Sequence, residues 1–274
     1  MILNHKVFGS SEHKIIILHG LLGSLDNWVT VAKNLSNRGY EIILIDQRNH
    51  GKSFHTDQFD YEIMSMDLKK FLDMKKIQKL SLIGHSMGGK TIMQFISNYP
   101  SYAQKVIIVD ILPKAYANNY EIIFNSFSQI NLDSLKSRND INNYFSKYFS
   151  DPIFISFLSK NISRDSNGNF KIKFNLSSIS SNILKITSAI KIDRIYYGNI
   201  LFLKGENSEY IDENGLKEAK KFFPKLNLVT IKNSSHWIHY ENQEKFLIET
   251  LNYLRTWILK WVLNSLFLSS FLWK

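Results

Sequence analysis

A chain of 274 residues can form one large domain or two small ones, and its 44% hydrophobic content can fill a sizeable core, which excludes disordered and collagen-like polymers. It has no cysteine, which removes disulfides, a thiol nucleophile and thiolate metal ligands together. The net charge of +10 sits on scattered lysines, no denser than pairs such as Lys69 with Lys70 or Lys220 with Lys221. Lysine, asparagine and isoleucine share A/T-rich codons, so base composition accounts for the charge and no nucleic-acid partner is expected.

In chain order, the first eight residues suit an edge strand. The apolar run 15–18 is too short for a secretory signal and lacks a small-residue cleavage site, so a cytoplasmic location is expected. That run reads as a buried strand and leads into His19-Gly20-Leu21-Leu22-Gly23. A helix is predicted over 25–37 and a strand over 41–45. Next comes Asp46-Gln47-Arg48-Asn49-His50-Gly51-Lys52-Ser53, whose charged and small residues suit a loop at the carboxyl edge of a sheet. It is expected to buttress a site there, with no chemical step for His50. A helix over 61–74 and a strand over 80–83 precede Gly84-His85-Ser86-Met87-Gly88-Gly89, which opens a helix over 86–98. A strand follows at 106–109.

Between 113 and 197 the rhythm changes to Asn, Ser, Phe and Tyr, with helical stretches and few strand signals. Structureless loops of that length are rare in compact domains, so the segment is expected to fold as a helical cap. Strands over 200–203 and 227–231 and a helix over 241–256 complete the pattern. Alternation of strands and helices predicts an α/β protein, a mostly parallel central sheet flanked by helices. The expected layout is a core of 1–112 with 198–256, a cap of 113–197 and an apolar tail of 257–274. As a helix the tail would be apolar nearly all round and roughly 25 Å long, marginal for a bilayer core of about 30 Å. It is expected to make a hydrophobic contact, with an oligomer partner or peripherally with a membrane.

Three segments carry chemistry. Gly84 to Gly88 matches G-x-S-x-G between a strand and a helix, the context in which a strained turn presents a serine hydroxyl. Ser86 is therefore the candidate nucleophile. Acyl transfer needs two backbone N–H donors for the oxyanion; Met87 supplies one from the turn, and Leu21, between flanking glycines, the other. A serine also needs a base. His236, in Ser234-Ser235-His236-Trp237-Ile238-His239, lies on the loop after the last strand. His239 is its rival, close to the last helix, and His85 is expected to pack away from the hydroxyl. No histidine–carboxylate grouping has metal-ligand spacing, so no metal is expected.

These segments in this order resemble the α/β-hydrolase superfamily over about residues 1–256. Arg48-Asn49-His50-Gly51, Gly84 to Lys90, Asp110-Ile111-Leu112-Pro113, and Gly205 with Ser208 and Tyr210 resemble its small branch of YbfF-type and ABHD11-type esterases. Many relatives outside that branch carry glycine where Asn49 stands. The resemblance implies a helical cap over the site and cofactor-free hydrolysis of carboxylic esters or thioesters, acyl-CoA among them, through an acyl-enzyme on Ser86. The superfamily's commonest pattern places the third triad member at the position of Ser208; the pattern of this branch places an acid at Asp110. Glu206, Glu209 and Asp212 are the rivals for that role. A lyase or C–C hydrolase on the same triad, or a binding protein without catalysis, is an alternative on the same scaffold.

Overall fold

The computed structural model describes residues 2–255. In chain order it forms β1 (His5–Phe8), β2 (Lys14–Leu18), α1 (Val29–Ser36), β3 (Glu41–Ile45), α2 (Tyr61–Met74), β4 (Leu80–His85), α3 (Met87–Asn98) and β5 (Ala103–Val109). An excursion then adds α4 (Glu121–Ser128), α5 (Arg138–Phe145), α6 (Pro152–Ser159), the short strands β6 (Ile162–Arg164) and β7 (Phe170–Ile172), α7 (Leu176–Ser181) and α8 (Ile183–Thr187). The sheet resumes with β8 (Ile200–Gly205), α9 (Glu213–Phe222), β9 (Leu226–Ile231) and α10 (Ile238–Glu241), and residues 243–255 are helical.

Uninterrupted Ile, Leu and Val runs make strands that need cover on both faces. Seven strands pair in the order β1-β3-β2-β4-β5-β8-β9, all parallel except β1, which runs antiparallel to β3. Alternate residues of a strand point to opposite faces. Ile16 and Leu18 of β2 accordingly pack with Leu68 and Phe71 of α2 and Phe95 of α3, while Ile15 and Ile17 pack with Val31 and Leu35 of α1 and with Phe246 and Leu251. The excursion has its own core, in which Phe127, Phe145, Phe174 and Ile179 pack together with Leu21, Phe59 and Met87 from the sheet side.

Three local expectations change. The helix expected over 25–37 opens as a 3-10 turn, Leu25–Trp28, before α1. The expected last helix begins earlier as α10, and Asn242, at φ −135°, interrupts it. The 113–197 segment contains a hairpin as well as helices, β6 against β7. Its turn is Asp165-Ser166-Asn167-Gly168-Asn169: the Asp165 carboxylate accepts the Asn167 and Asn169 N–H groups at 2.9 Å, and Gly168 takes φ +87°. Three residues per strand are too few to show alternation. The tail 257–274, with its expected contact role, lies outside the described residues, and among those no helix is long and apolar enough to cross a membrane.

Asn49 ties this excursion to the sheet. Its φ is +64°, a left-handed conformation that asparagine tolerates better than most residues. Its Nδ2 donates to Ser178 Oγ at 3.0 Å, its Oδ1 accepts the Thr56 N–H at 2.8 Å, and its carbonyl accepts the Asn175 N–H at 2.9 Å. Its Oδ1 also accepts Asn175 Nδ2 at 3.4 Å, and glycine, which fits the backbone equally well, strips all three side-chain bonds from a fully buried position. Asn49→Gly is therefore expected to lower unfolding free energy by about 1–3 kcal/mol in urea titrations, and an unchanged midpoint would remove the side chain from this docking.

Candidate active site

β3 and β4 lie on opposite sides of β2, so the loops leaving β2 and β4 diverge and open a crevice at their carboxyl ends. Ser86 sits at that edge as the N-cap of α3, with φ +50° and ψ −118°, a strained conformation for a residue with a side chain. The turn closes only because its flanks are glycine. A Cβ on Gly84 would stand 2.5 Å from the Gly88 carbonyl oxygen, and one on Gly88 would stand 2.5 Å from that of Leu18. The Ser86 N–H is bonded to the Val109 carbonyl at 3.0 Å, which fixes the turn against the next strand.

The structure brings Asp110 and His236 together: Asp110 Oδ2 and His236 Nδ1 are 2.8 Å apart. Asp110 follows β5 at φ +51° and is fully buried. Its Oδ1 accepts the Gly205 N–H at 3.1 Å, and its Oδ2 also accepts the Ser208 hydroxyl. The serine that stands where an acid was weighed thus donates to the acid on the neighbouring strand. The other carboxylates lie elsewhere. Glu206 accepts the Asn233 N–H at 3.0 Å, Glu209 is exposed, and Asp212 caps α9 through the Gly215 N–H at 2.6 Å. The Tyr210 ring stacks on His236, with centroids 3.9 Å apart and planes at 17°.

The loop after β2 is held by two neutral histidines. His50 Nε2 accepts the Leu22 N–H at 3.1 Å, so its proton is on Nδ1, which donates to the Arg48 carbonyl at 2.9 Å. His19 Nε2 accepts the Gln47 N–H at 3.0 Å, and its Nδ1 donates to the Gly20 carbonyl at 2.8 Å. Burial pushes both imidazoles below the usual histidine range, His50 well below it. Asp46 accepts the Leu25 and Lys52 N–H groups at 2.7 and 2.9 Å, and Arg48 forms a buried two-point ion pair with Asp67. Gln47 closes the network by donating to the His19 carbonyl at 2.8 Å. Among the described residues no acceptor engages the N–H of Leu21 or of Met87; Leu21 lines both cavities over Ser86 and Met87 the smaller one.

Two cavities meet at Ser86. The larger, about 260 Å³, is lined by His236 and Trp237 and, from the excursion, by Ile123, Phe154 and Phe157. The smaller, about 40 Å³, is lined by Leu21, Met87, Tyr61, Tyr116 and Lys90. Burial pushes the Lys90 ammonium down to about 7. Lys90, Ser208, His19 and Tyr210 were not singled out as functional from the sequence. For Lys90 the available signal was a charged residue inside an otherwise apolar helix start. Among the described residues no group of three or more His, Asp or Glu side chains is placed to hold a metal.

His85 and His239 surround the candidate base without replacing it. His85 Nε2 donates to the His236 carbonyl at 2.9 Å and is held well below the ordinary histidine range by burial and then by its histidine neighbours. His239 lies flat on Trp28, centroids 4.0 Å apart, with its Nδ1 buried and unpartnered among the described residues. Burial, with smaller effects of His236 and Lys160, brings its pKa to about 3. A base whose folded pKa is depressed binds a proton more readily when unfolded, so its contribution is intact above about 6.5 and is lost as pH falls towards 3. His239→Phe, which keeps the stacking, is expected to flatten the stability loss between pH 6 and 4 by up to about 1.4 kcal/mol per pH unit. Urea midpoints across that range give the slope; equal slopes in both proteins would contradict the assignment.

Comparison with known proteins agrees with this geometry. A family profile described as the alpha/beta hydrolase fold matches residues 14–159. The chain is 32% identical over 248 residues to the sn-1-specific diacylglycerol lipase ABHD11 of Danio rerio, covering 88% of this chain and 78% of that protein. It is 30% identical to Esterase YbfF of Escherichia coli strain K12 over 241 residues, 88% of this chain and 92% of that one. A solved structure described as a marine microorganism esterase superposes with a TM-score of 0.88 at 38% identity, covering 92% of this chain and 99% of that one. With its parallel sheet, glycine-flanked serine turn and these relatives, the chain belongs to the α/β-hydrolase family.

Proposed function

We propose that the chain hydrolyses carboxylic esters by two-step acyl transfer, with Ser86 as nucleophile, His236 as base and acid, and Asp110 as the orienting carboxylate. The observation that carries this reading is the 2.8 Å contact between Asp110 and His236 beside a serine held in a strained, glycine-flanked turn. With Nδ1 committed to Asp110, the free Nε2 of His236 takes the Ser86 proton as the hydroxyl oxygen attacks the ester carbonyl. The oxyanion develops towards the unengaged N–H groups of Leu21 and Met87, where fixed dipoles lower the barrier. Imidazolium then protonates the departing alcohol, and water, activated by the same nitrogen, releases the acid. The esterase and lipase names of the relatives support the reading.

Asp110 has a further effect on this cycle. Its charge is buried and both its oxygens accept fixed donors, so its attraction for the imidazolium is little screened. These steps do not distinguish an oxygen from a sulfur leaving group, so thioesters, acyl-CoA included, belong to the proposed range. The aromatic lining of the larger cleft suits an apolar leaving group next to His236.

Ser86→Ala is expected to lower ester kcat by about a millionfold while substrate still binds. Asp110→Asn, which favours the wrong tautomer of His236, is expected to cost about ten-thousandfold, and Glu206→Gln or Glu209→Gln only a few-fold. The measurement is kcat on p-nitrophenyl esters of graded length, with folding checked by circular dichroism. A fluorophosphonate probe should label Ser86 and no other serine. Near-normal activity in Asp110→Asn beside collapse in either glutamine variant would move the acid to the later loop.

A further inference from the structure

The smaller cavity contains a group that the hydrolytic steps leave unused. Lys90 lies one helical turn after Ser86, its N–H bonded to the Ser86 carbonyl at 3.1 Å. Residues four apart share a helix face, and helical side chains lean towards the N-terminus, so Lys90 leans back over the serine turn. It is only 1% exposed. Its Nζ donates to the Ser188 carbonyl at 2.7 Å and lies 4.9 and 5.4 Å from the ring centres of Tyr116 and Tyr61. The hydroxyls of those rings are committed elsewhere, Tyr61 to the Ile186 carbonyl and Tyr116 to that of Tyr210, both at 2.8 Å. Among the described residues no carboxylate pairs with Lys90, and Ser188 accounts for one of its three N–H donors.

A buried ammonium without a counter-ion is costly, and an apolar residue of similar volume would fill this space at lower cost. The position of the cavity says what completes the charge. His236 must protonate the leaving group, and it lines the larger cleft, which therefore takes the alcohol or thiol. The smaller cavity contains Ser86, Leu21 and Met87 but not His236, so it takes the acyl group. Of its lining residues Lys90 alone carries a charge.

We propose that Lys90 determines acyl specificity by pairing with a carboxylate at the far end of a short acyl group, so that preferred substrates are monoesters or monothioesters of small dicarboxylic acids. Ser86 forms the acyl bond at the esterified carbonyl, the alcohol or thiol leaves with the proton from His236, and water releases the dicarboxylate. The free carboxylate stays paired with Lys90 throughout and takes no part in bond making. The rings of Tyr61 and Tyr116 keep Nζ in place before substrate arrives and favour its charged form.

The proposal rests on the Ser86 reading above, and one pair of substrates separates the two. Ethyl butyrate and monoethyl succinate differ in a terminal methyl against a carboxylate. In the wild type kcat/KM is expected to favour monoethyl succinate, and Lys90→Met is expected to lower the succinate-to-butyrate ratio by about tenfold or more, the size of one charge-assisted hydrogen bond. A wild-type preference for ethyl butyrate, or an unchanged ratio in the variant, overturns the proposal and leaves the esterase reading standing. If Lys90→Met does not fold, succinate and butyrate are compared as inhibitors of ethyl butyrate hydrolysis by the wild type. Clearly tighter inhibition by succinate supports the pairing, and equal inhibition overturns it. No turnover of either ester by the wild type overturns the esterase reading and this proposal with it.

Discussion

A carboxylate with no solvent exposure has to be met by donors, and the site is arranged around that demand at Asp110. One oxygen takes the Gly205 N–H at the end of β8; the other takes the Ser208 hydroxyl and His236 Nδ1. The Asp110 N–H is itself spent on the Leu203 carbonyl at 2.9 Å. Three donors from two chain segments are thereby fixed relative to one charge. If any of them is displaced, the charge is left short of a donor, which the interior penalises more heavily than it rewards a surplus one. The left-handed backbone at Asp110 follows from the same demand, because the chain must turn sharply off β5 to bring the carboxylate over β8.

The histidines around the serine work as two-ended linkers. A neutral imidazole accepts at one nitrogen and donates at the other, which neither lysine nor aspartate can do. His50 uses this to join the Leu22 N–H to the Arg48 carbonyl, and His19 to join the Gln47 N–H to the Gly20 carbonyl. Protonation would end the accepting half of each link, and burial opposes it. The loop that presents Leu21 is thus positioned by tautomers. His85 extends the principle by donating to the backbone of His236 rather than to its ring.

Much of this was legible in the sequence because it rests on local rules. Apolar runs gave the six parallel strands to within a few residues, and the serine turn is readable because only glycine fits at 84 and 88. The early Asn49 signal, an asparagine where many relatives have glycine, corresponds to a left-handed backbone that either residue accepts. What stayed hidden depends on contacts between distant segments. Ser208 reads as the absence of an acid until β8 is seen beside β5, and Lys90 reads only as the end of the run from Gly84 until Tyr61 and Tyr116 close over it. The β6–β7 hairpin escaped notice because each strand is three residues long. His239 was weighed as a base for its nearness in sequence, and its place flat against Trp28 depends on α10 starting earlier than the periodicity implied.

The segment between β3 and α2 carries two loads at once. Through His50 and Asp46 it shapes the loop that carries Leu21, and through Asn49 it grips α7. The helical excursion is therefore not an interchangeable module seated on a generic platform. A graft that exchanged it for one from another α/β-hydrolase would remove the partners of Asn49 and slacken the turn next to Arg48, whose carbonyl accepts from His50. Recombination within this family is constrained less by the breakpoints at the ends of the insertion than by a short loop far from both in sequence, so grafts that carry that loop along with the insertion preserve the geometry that the other cuts disturb.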